Sequence, residues 1–126
     1  VTACLRAMST QVRTLEIFPD LADAARRNLA LFGSRDVEVV DGDAMQGDGG
    51  ARYDVIALTA SLPVYDACFE RMLTIGGRLF VVVGEAPVMD ARLVTRNSED
   101  SVTTRSLFET VIDPLVNAVR PPEFRF

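Results

Sequence analysis

Apolar positions recur along this chain with two periods, and the switches between them mark out its elements. Val1, Cys4, Leu5 and Met8 fall at i, i+3, i+4 and i+7, a helical stripe with no capping residue before it. Residues 12–17 (Val-Arg-Thr-Leu-Glu-Ile) are β-branched and apolar and read as a buried strand. Pro19 then sits near a first helical position, where its missing N–H costs nothing. Asp20 and Asp23 place negative charge in the first turn, Leu21, Ala24, Ala25, Leu29 and Phe32 form one apolar face, and Gly33 stops the helix. Residues 37–40 read as the next strand and 41–50, with four glycines, as a loop. Residues 53–59 read as a strand and 59–63 (Thr-Ala-Ser-Leu-Pro) as the turn after it. Val64, Ala67, Cys68, Arg71 and Met72 have helical spacing, and Gly76-Gly77 reads as a tight turn into a near-continuous apolar strand over 78–83. Residues 91–95 and 102–111 then form a hairpin around a polar turn, and an extended tail carries Pro121-Pro122.

The order α-β-α-β-β-α-β predicts a parallel α/β sheet ending in an antiparallel hairpin. In such a sheet ligands bind outside the carboxyl ends of the strands. Two acids fall at successive strand ends, Glu16 and Asp43. An acid at the end of the second strand of such a unit accepts hydrogen bonds from ribose hydroxyls, and a second acid one unit later can meet the adenine edge. Singly, Glu16 reads equally well as a solvated strand end and Asp43 as a turn residue in Asp41-Gly42-Asp43. Together they point to a nucleoside-cofactor site. The glycine-rich loop that usually follows the first strand of that unit is not in this chain.

Composition narrows the classes. A length of 126 residues fits one domain. The net charge is −5 and every basic residue is Arg, with no basic run, so nucleic-acid binding is not expected. The apolar runs are too short to span a membrane, and no signal-peptide pattern opens the chain. Two cysteines, Cys4 and Cys68, lack metal-ligand spacing and fit a reducing, cytoplasmic setting. With no His, a catalytic triad is excluded, and Asp41 with Asp43 offers too few oxygen ligands for a hard cation, so no metal is expected. Ser61 has no His or Lys beside it in sequence to activate it as a nucleophile.

The residues also resemble a known family. Val1-Thr2-Ala3, Thr14-Leu15-Glu16-Ile17, Leu21-Ala22, Asn28-Leu29, Val37-Glu38-Val39-Val40 with Gly42-Asp43, Tyr53-Asp54-Val55-Ile56, Thr59-Ala60-Ser61-Leu62-Pro63 and Gly76-Gly77-Arg78-Leu79 are similar to protein-L-isoaspartate O-methyltransferases. The resemblance covers about residues 1 to 112. It implies a three-layer, Rossmann-like class I methyltransferase fold, S-adenosyl-L-methionine as cofactor, and O-methylation of L-isoaspartyl residues in damaged proteins, a protein repair. It also implies roles. Glu16 would hold the ribose hydroxyls, Ile17 would pack on the adenine, Asp43 and Ala44 would meet the adenine amino edge, and Thr59 would line the methionine end. No catalytic residue is carried over, and none is needed as a base, because the attacking carboxylate is already ionised near neutral pH.

Against that pattern the chain is expected to be the C-terminal part of a methyltransferase domain, spanning 1–126 and beginning after the glycine-rich loop. By itself it should bind the cofactor poorly and be inactive. A strand belonging between residues 12–17 and 53–59 would be missing, leaving a gap of roughly 9–10 Å. Direct pairing of the two strands, a segment of a second molecule in a homodimer, or upstream residues of the same protein would each fill it. Three other readings stand beside the main one: a same-fold methyltransferase of a small molecule, a dinucleotide-binding module of a dehydrogenase, and a non-catalytic interaction domain.

Overall fold

The computed structural model describes residues 1–124, which divide into two compact units, residues 1–46 and the residues from Gly47 on. The first unit carries α1 (Thr2–Met8), β1 (Arg13–Glu16), α2 (Pro19–Leu31) and β2 (Glu38–Asp41), followed by a short 3-10 turn at Ala44–Gln46. The strands β1 and β2 pair in parallel, with Arg13 opposite Glu38 and Glu16 opposite Asp41. The first of these pairs is also an ion pair, Arg13 Nε to Glu38 Oε2 at 3.5 Å. Pro19 opens α2 as expected, and the αL residue Gly33 (φ +74°) ends it.

The face of α2 agrees with the expectation at Leu29 and departs from it at Leu21 and Phe32. Its buried residues are Ala22 and Leu29, whereas Leu21 is 51% and Phe32 80% exposed. Small Ala22 permits close approach of the helix, and the bulkier neighbours are turned outward. The helix α1 buries none of its residues. Arg6 ties it to the chain ahead of β2, donating from Nε to Asp36 Oδ2 at 2.8 Å and holding the Asp36 carboxyl below its usual range.

The second unit is a four-stranded sheet in the order β3-β4-β5-β6, built from β3 (Tyr53–Leu62), β4 (Leu73–Glu85), β5 (Val88–Arg96) and β6 (Val102–Thr110). The β3–β4 pair is parallel and the other two pairs are antiparallel. Along β4, Leu79, Val81 and Val83 alternate with Val82, and all four are buried, so both faces of this strand are covered. On one side Val82, Met89 and Ala91 form a cluster with Phe80 and Ile112 packed against it. The helix α3 (Cys68–Arg71) lies against β4 and buries Phe69. It is much shorter than the spacing from Val64 to Met72 predicts. Arg96 fastens its end: Nη1 donates to the carbonyls of Arg71 (3.2 Å) and Leu73 (2.8 Å), and Nε donates to that of Ser98 at 3.2 Å.

Two glycine and loop assignments are corrected. Residues 59–63 are not a turn, because β3 continues to Leu62. Gly76-Gly77 is not a turn between elements but lies inside β4, where the register jumps from Tyr53–Leu73 to Val55–Arg78. The extra residues of β4 bulge there, and Gly76 takes φ +85°. Gly77 is required by space: a Cβ at this position would stand 2.8 Å from the Thr74 carbonyl oxygen and 3.1 Å from that of Tyr53.

Among the described residues, β1 pairs with β2 and β3 with β4, in separate sheets. Part of the outer edge of β3 is taken by the chain itself. After β6 the backbone returns to Ser61, whose N–H donates to the Asp113 carbonyl and whose carbonyl accepts from the Leu115 N–H, both at 2.8 Å. The result is a parallel bridge between Ser61 and Pro114. The Ser61 hydroxyl is 3.2 Å from the Ile112 carbonyl and donates to it, so this fully buried polar residue is satisfied.

The crowding at Gly77 gives a direct expectation. Gly77→Ala forces carbonyl groups of β3 and β4 apart and should cost about 1–3 kcal/mol, as overpacking does. Urea unfolding followed by circular dichroism measures it; an unchanged midpoint would show that the bulge yields freely.

Candidate functional site

The first unit brings four of the five expected site residues to one end of its sheet. Glu16 is the last residue of β1 and Ile17 follows it. Asp43 and Ala44 lie just beyond β2, in the turn that continues into the 3-10 segment. Backbone bonds fix this end. The Gly42 N–H donates to the Glu16 carbonyl at 2.9 Å, continuing the parallel ladder one step past the strands. Asp43 then closes the turn: its Oδ1 accepts from the Met45 N–H at 2.9 Å, and its carbonyl accepts from the Gln46 N–H at 3.0 Å. The Glu16 carboxylate is steadied from the α2 side, where its Oε1 accepts from the Phe18 N–H at 3.1 Å.

All four residues are partly exposed rather than sealed in a core. Two carboxylates at the carboxyl end of the parallel pair, with Ile17 next to Glu16 along the chain, make an edge that accepts hydrogen bonds and offers apolar surface. That set of acceptors and apolar surface fits the nucleoside part of a cofactor: a carboxylate for a vicinal diol, a second for an amino group, and an aliphatic side chain for a base. Among the described residues there is no group of three or more His, Cys, Asp or Glu placed to hold a metal.

Thr59 belongs to the second unit and lies within β3 rather than in a loop. The register passes from Ala57–Phe80 to Ser61–Val82, so Leu58, Thr59 and Ala60 together face Val81. Such a bulge re-aims side chains, and Thr59 is exposed between the buried Leu58 and Ser61. Cys68 is half-buried and free, with its thiol pushed up to about 11 by burial and by the adjoining Asp66 carboxylate.

One residue at the strand ends carries no flag in the sequence reading. Arg26, on α2, donates through Nη2 to Asp41 Oδ1 at 2.9 Å and to the Val39 carbonyl at 3.0 Å. Its Nη1 donates to Asp23 Oδ1 at 2.8 Å. The i,i+3 spacing of Asp23 and Arg26 is visible in the sequence; the contact with β2 is not.

The family "Protein-L-isoaspartate(D-aspartate) O-methyltransferase (PCMT)" matches the chain over residues 1–120. The chain is 39% identical over 116 residues to a protein-L-isoaspartate O-methyltransferase of Methanoculleus marisnigri, covering 90% of this chain and 52% of that one. It is 38% identical over 117 residues to protein-L-isoaspartate O-methyltransferase 1 of Rhodopseudomonas palustris, covering 90% and 47%. The chain therefore spans about half the length of the curated relatives it matches. A similar solved structure is that of a Plasmodium falciparum protein provisionally described as a protein-L-isoaspartate O-methyltransferase, in complex with S-adenosyl-L-homocysteine. The TM-score is 0.72 at 17% identity, over 83% of this chain and 52% of that one, which establishes a shared fold.

Removal of the strand-end acid tests the site. In the full-length protein, Glu16→Ala should weaken binding of S-adenosyl-L-homocysteine by about 1–3 kcal/mol, the usual cost of leaving polar partners unmatched. Titration calorimetry that returns the wild-type affinity would remove Glu16 from the site.

Proposed function

The chain belongs to the protein-L-isoaspartate O-methyltransferase family, and we propose that the protein it comes from methylates the carboxylate of L-isoaspartyl residues in damaged proteins, drawing the methyl group from S-adenosyl-L-methionine. The observation that carries this reading is the coincidence of the family match over residues 1–120 with two acids at one end of the parallel pair, Glu16 closing β1 and Asp43 just beyond β2. When bound, the cofactor supplies a methyl group activated on a sulfonium. Glu16 is the proposed acceptor for the ribose hydroxyls, Ile17 the packing surface for adenine, Asp43 and Ala44 the adenine-edge contacts, and Thr59 the contact for the methionine end.

The chemistry asks little more of this chain. The transfer would form an O–CH3 bond at the substrate carboxylate as the S–CH3 bond breaks, with no proton to move. Catalysis is then alignment and electrostatics rather than acid–base work. That matches a chain with no His and no Lys. No described helix is long and apolar enough to cross a membrane. A cytoplasmic protein acting on isoaspartyl-containing polypeptides is the setting we propose.

The deciding experiment offers the full-length protein two peptides that differ only in an isoaspartyl or an aspartyl linkage, with methyl-labelled S-adenosyl-L-methionine. We expect a base-labile methyl ester on the isoaspartyl peptide alone. A protein that binds S-adenosyl-L-homocysteine but labels neither peptide would leave the fold and cofactor in place and overturn the substrate.

A further inference from the structure

Glu16 and Asp41 are direct partners in the β1–β2 register. Like charges opposite one another on adjacent strands repel, and this pair stands at the strand end where a ribose diol would be read. Two things can relieve that repulsion: one carboxylate can be drawn aside, or its charge can be offset. Arg26 does both. Its guanidinium reaches from α2 to three acceptors, Asp41 Oδ1, Asp23 Oδ1 and the Val39 carbonyl, at 2.8–3.0 Å. The planar fork suits such divergent acceptors, which the point charge of a Lys would not serve. On the other strand Glu16 turns one oxygen, Oε1, to its own Phe18 N–H. The two carboxylates are thus committed to different neighbours although their Cα atoms are paired.

We infer that Arg26 is a positioning residue for the nucleoside site: by engaging Asp41 it leaves Glu16 as the carboxylate of that pair open to a vicinal diol. The inference rests on the nucleoside reading above. It assigns Asp41 no contact with the ligand; Asp41 matters only as a charge that must be kept in check. Arg26 could instead serve solely as a latch between α2 and β2 through the Val39 carbonyl. The two roles separate by charge. A latch is lost whenever Arg26 is lost, whereas a counter-ion becomes dispensable once Asp41 is neutral.

The test uses the full-length protein and S-adenosyl-L-homocysteine in titration calorimetry, with thermal unfolding recorded for each variant. Arg26→Ala should weaken binding by about three- to tenfold, the size of one uncompensated carboxylate acting across several ångströms in a wet site. Adding Asp41→Asn to that variant should restore affinity to within about twofold of wild type, as expected if only the charge matters. Asp41→Asn alone should bind at least as tightly as wild type, which keeps the idea testable should Arg26→Ala fail to fold. In turnover with the isoaspartyl peptide, Arg26→Ala should raise KM for S-adenosyl-L-methionine while leaving KM for the peptide in place. A double variant as weak as Arg26→Ala would make Arg26 a latch and overturn the inference, as would unchanged affinity in Arg26→Ala or weakened affinity in Asp41→Asn. Wild-type protein that binds no S-adenosyl-L-homocysteine would instead overturn the nucleoside reading and this inference with it.

Discussion

The parallel register of β1 and β2 is the constraint on which the candidate site depends. A slip of one residue would send every side chain of one strand to the opposite face. In the register adopted, Arg13 meets Glu38 at one end and Glu16 meets Asp41 at the other. The ladder then continues one bond further, from the Gly42 N–H to the Glu16 carbonyl, and Asp43 enters its turn at the same edge. Favourable pairing at the strand entrance and an offset like-charge pair at the exit are consequences of a single alignment. The geometry that presents Glu16 and Asp43 together is a backbone property before it is a side-chain one.

The first unit was the more legible half of the chain, and for local reasons. Pro19 and Gly33 bracket α2 through backbone restrictions that act within a residue or two. The acids at strand ends follow once the strands are placed. What the pattern misjudged was which way the helix turns. Apolar spacing predicts Leu21, Leu29 and Phe32 inward; Leu29 is buried as expected, but the helix also buries Ala22 and leaves Leu21 and Phe32 exposed. Periodicity reports an apolar stripe and is silent on how closely the neighbouring element can come.

In the second unit the strands were legible and their alignment was not. The bulges at Leu58–Ala60 and at Gly76-Gly77 arise because two strands of unequal local length must stay paired. Nothing within either strand encodes the mismatch. Gly76-Gly77 and Thr59 through Pro63 therefore read as loops, since glycine, serine and proline are the residues of turns. The structure instead places Gly76-Gly77 and residues 59–62 within strands, and at Gly77 the crowding carbonyl groups leave no room for a side chain. Arg96 was equally unreadable: its role as a clip for the carbonyls of Arg71, Leu73 and Ser98 exists only after α3 and the hairpin meet. The family resemblance supplied the functional reading that spacing alone left open between a methyltransferase and other nucleoside-binding folds.

The return of the chain from β6 to Ser61 has a further consequence. The four-stranded sheet begins at β3 and ends at β6, and the segment at Asp113–Leu115 ties the last strand back to the first. The second unit is therefore a closed circuit of hydrogen bonds, completed by contacts between residues far apart in sequence. Closing such a circuit is the slow, entropically demanding part of forming it. It also separates two kinds of opening. The Ser61 amide is bonded to Asp113 and not to β4, so its hydrogen exchange follows the lifting of the returning segment. Amides of β4 and β5 follow the sheet itself. One amide thus serves as a gauge of whether the circuit is closed while the strands it joins stay paired.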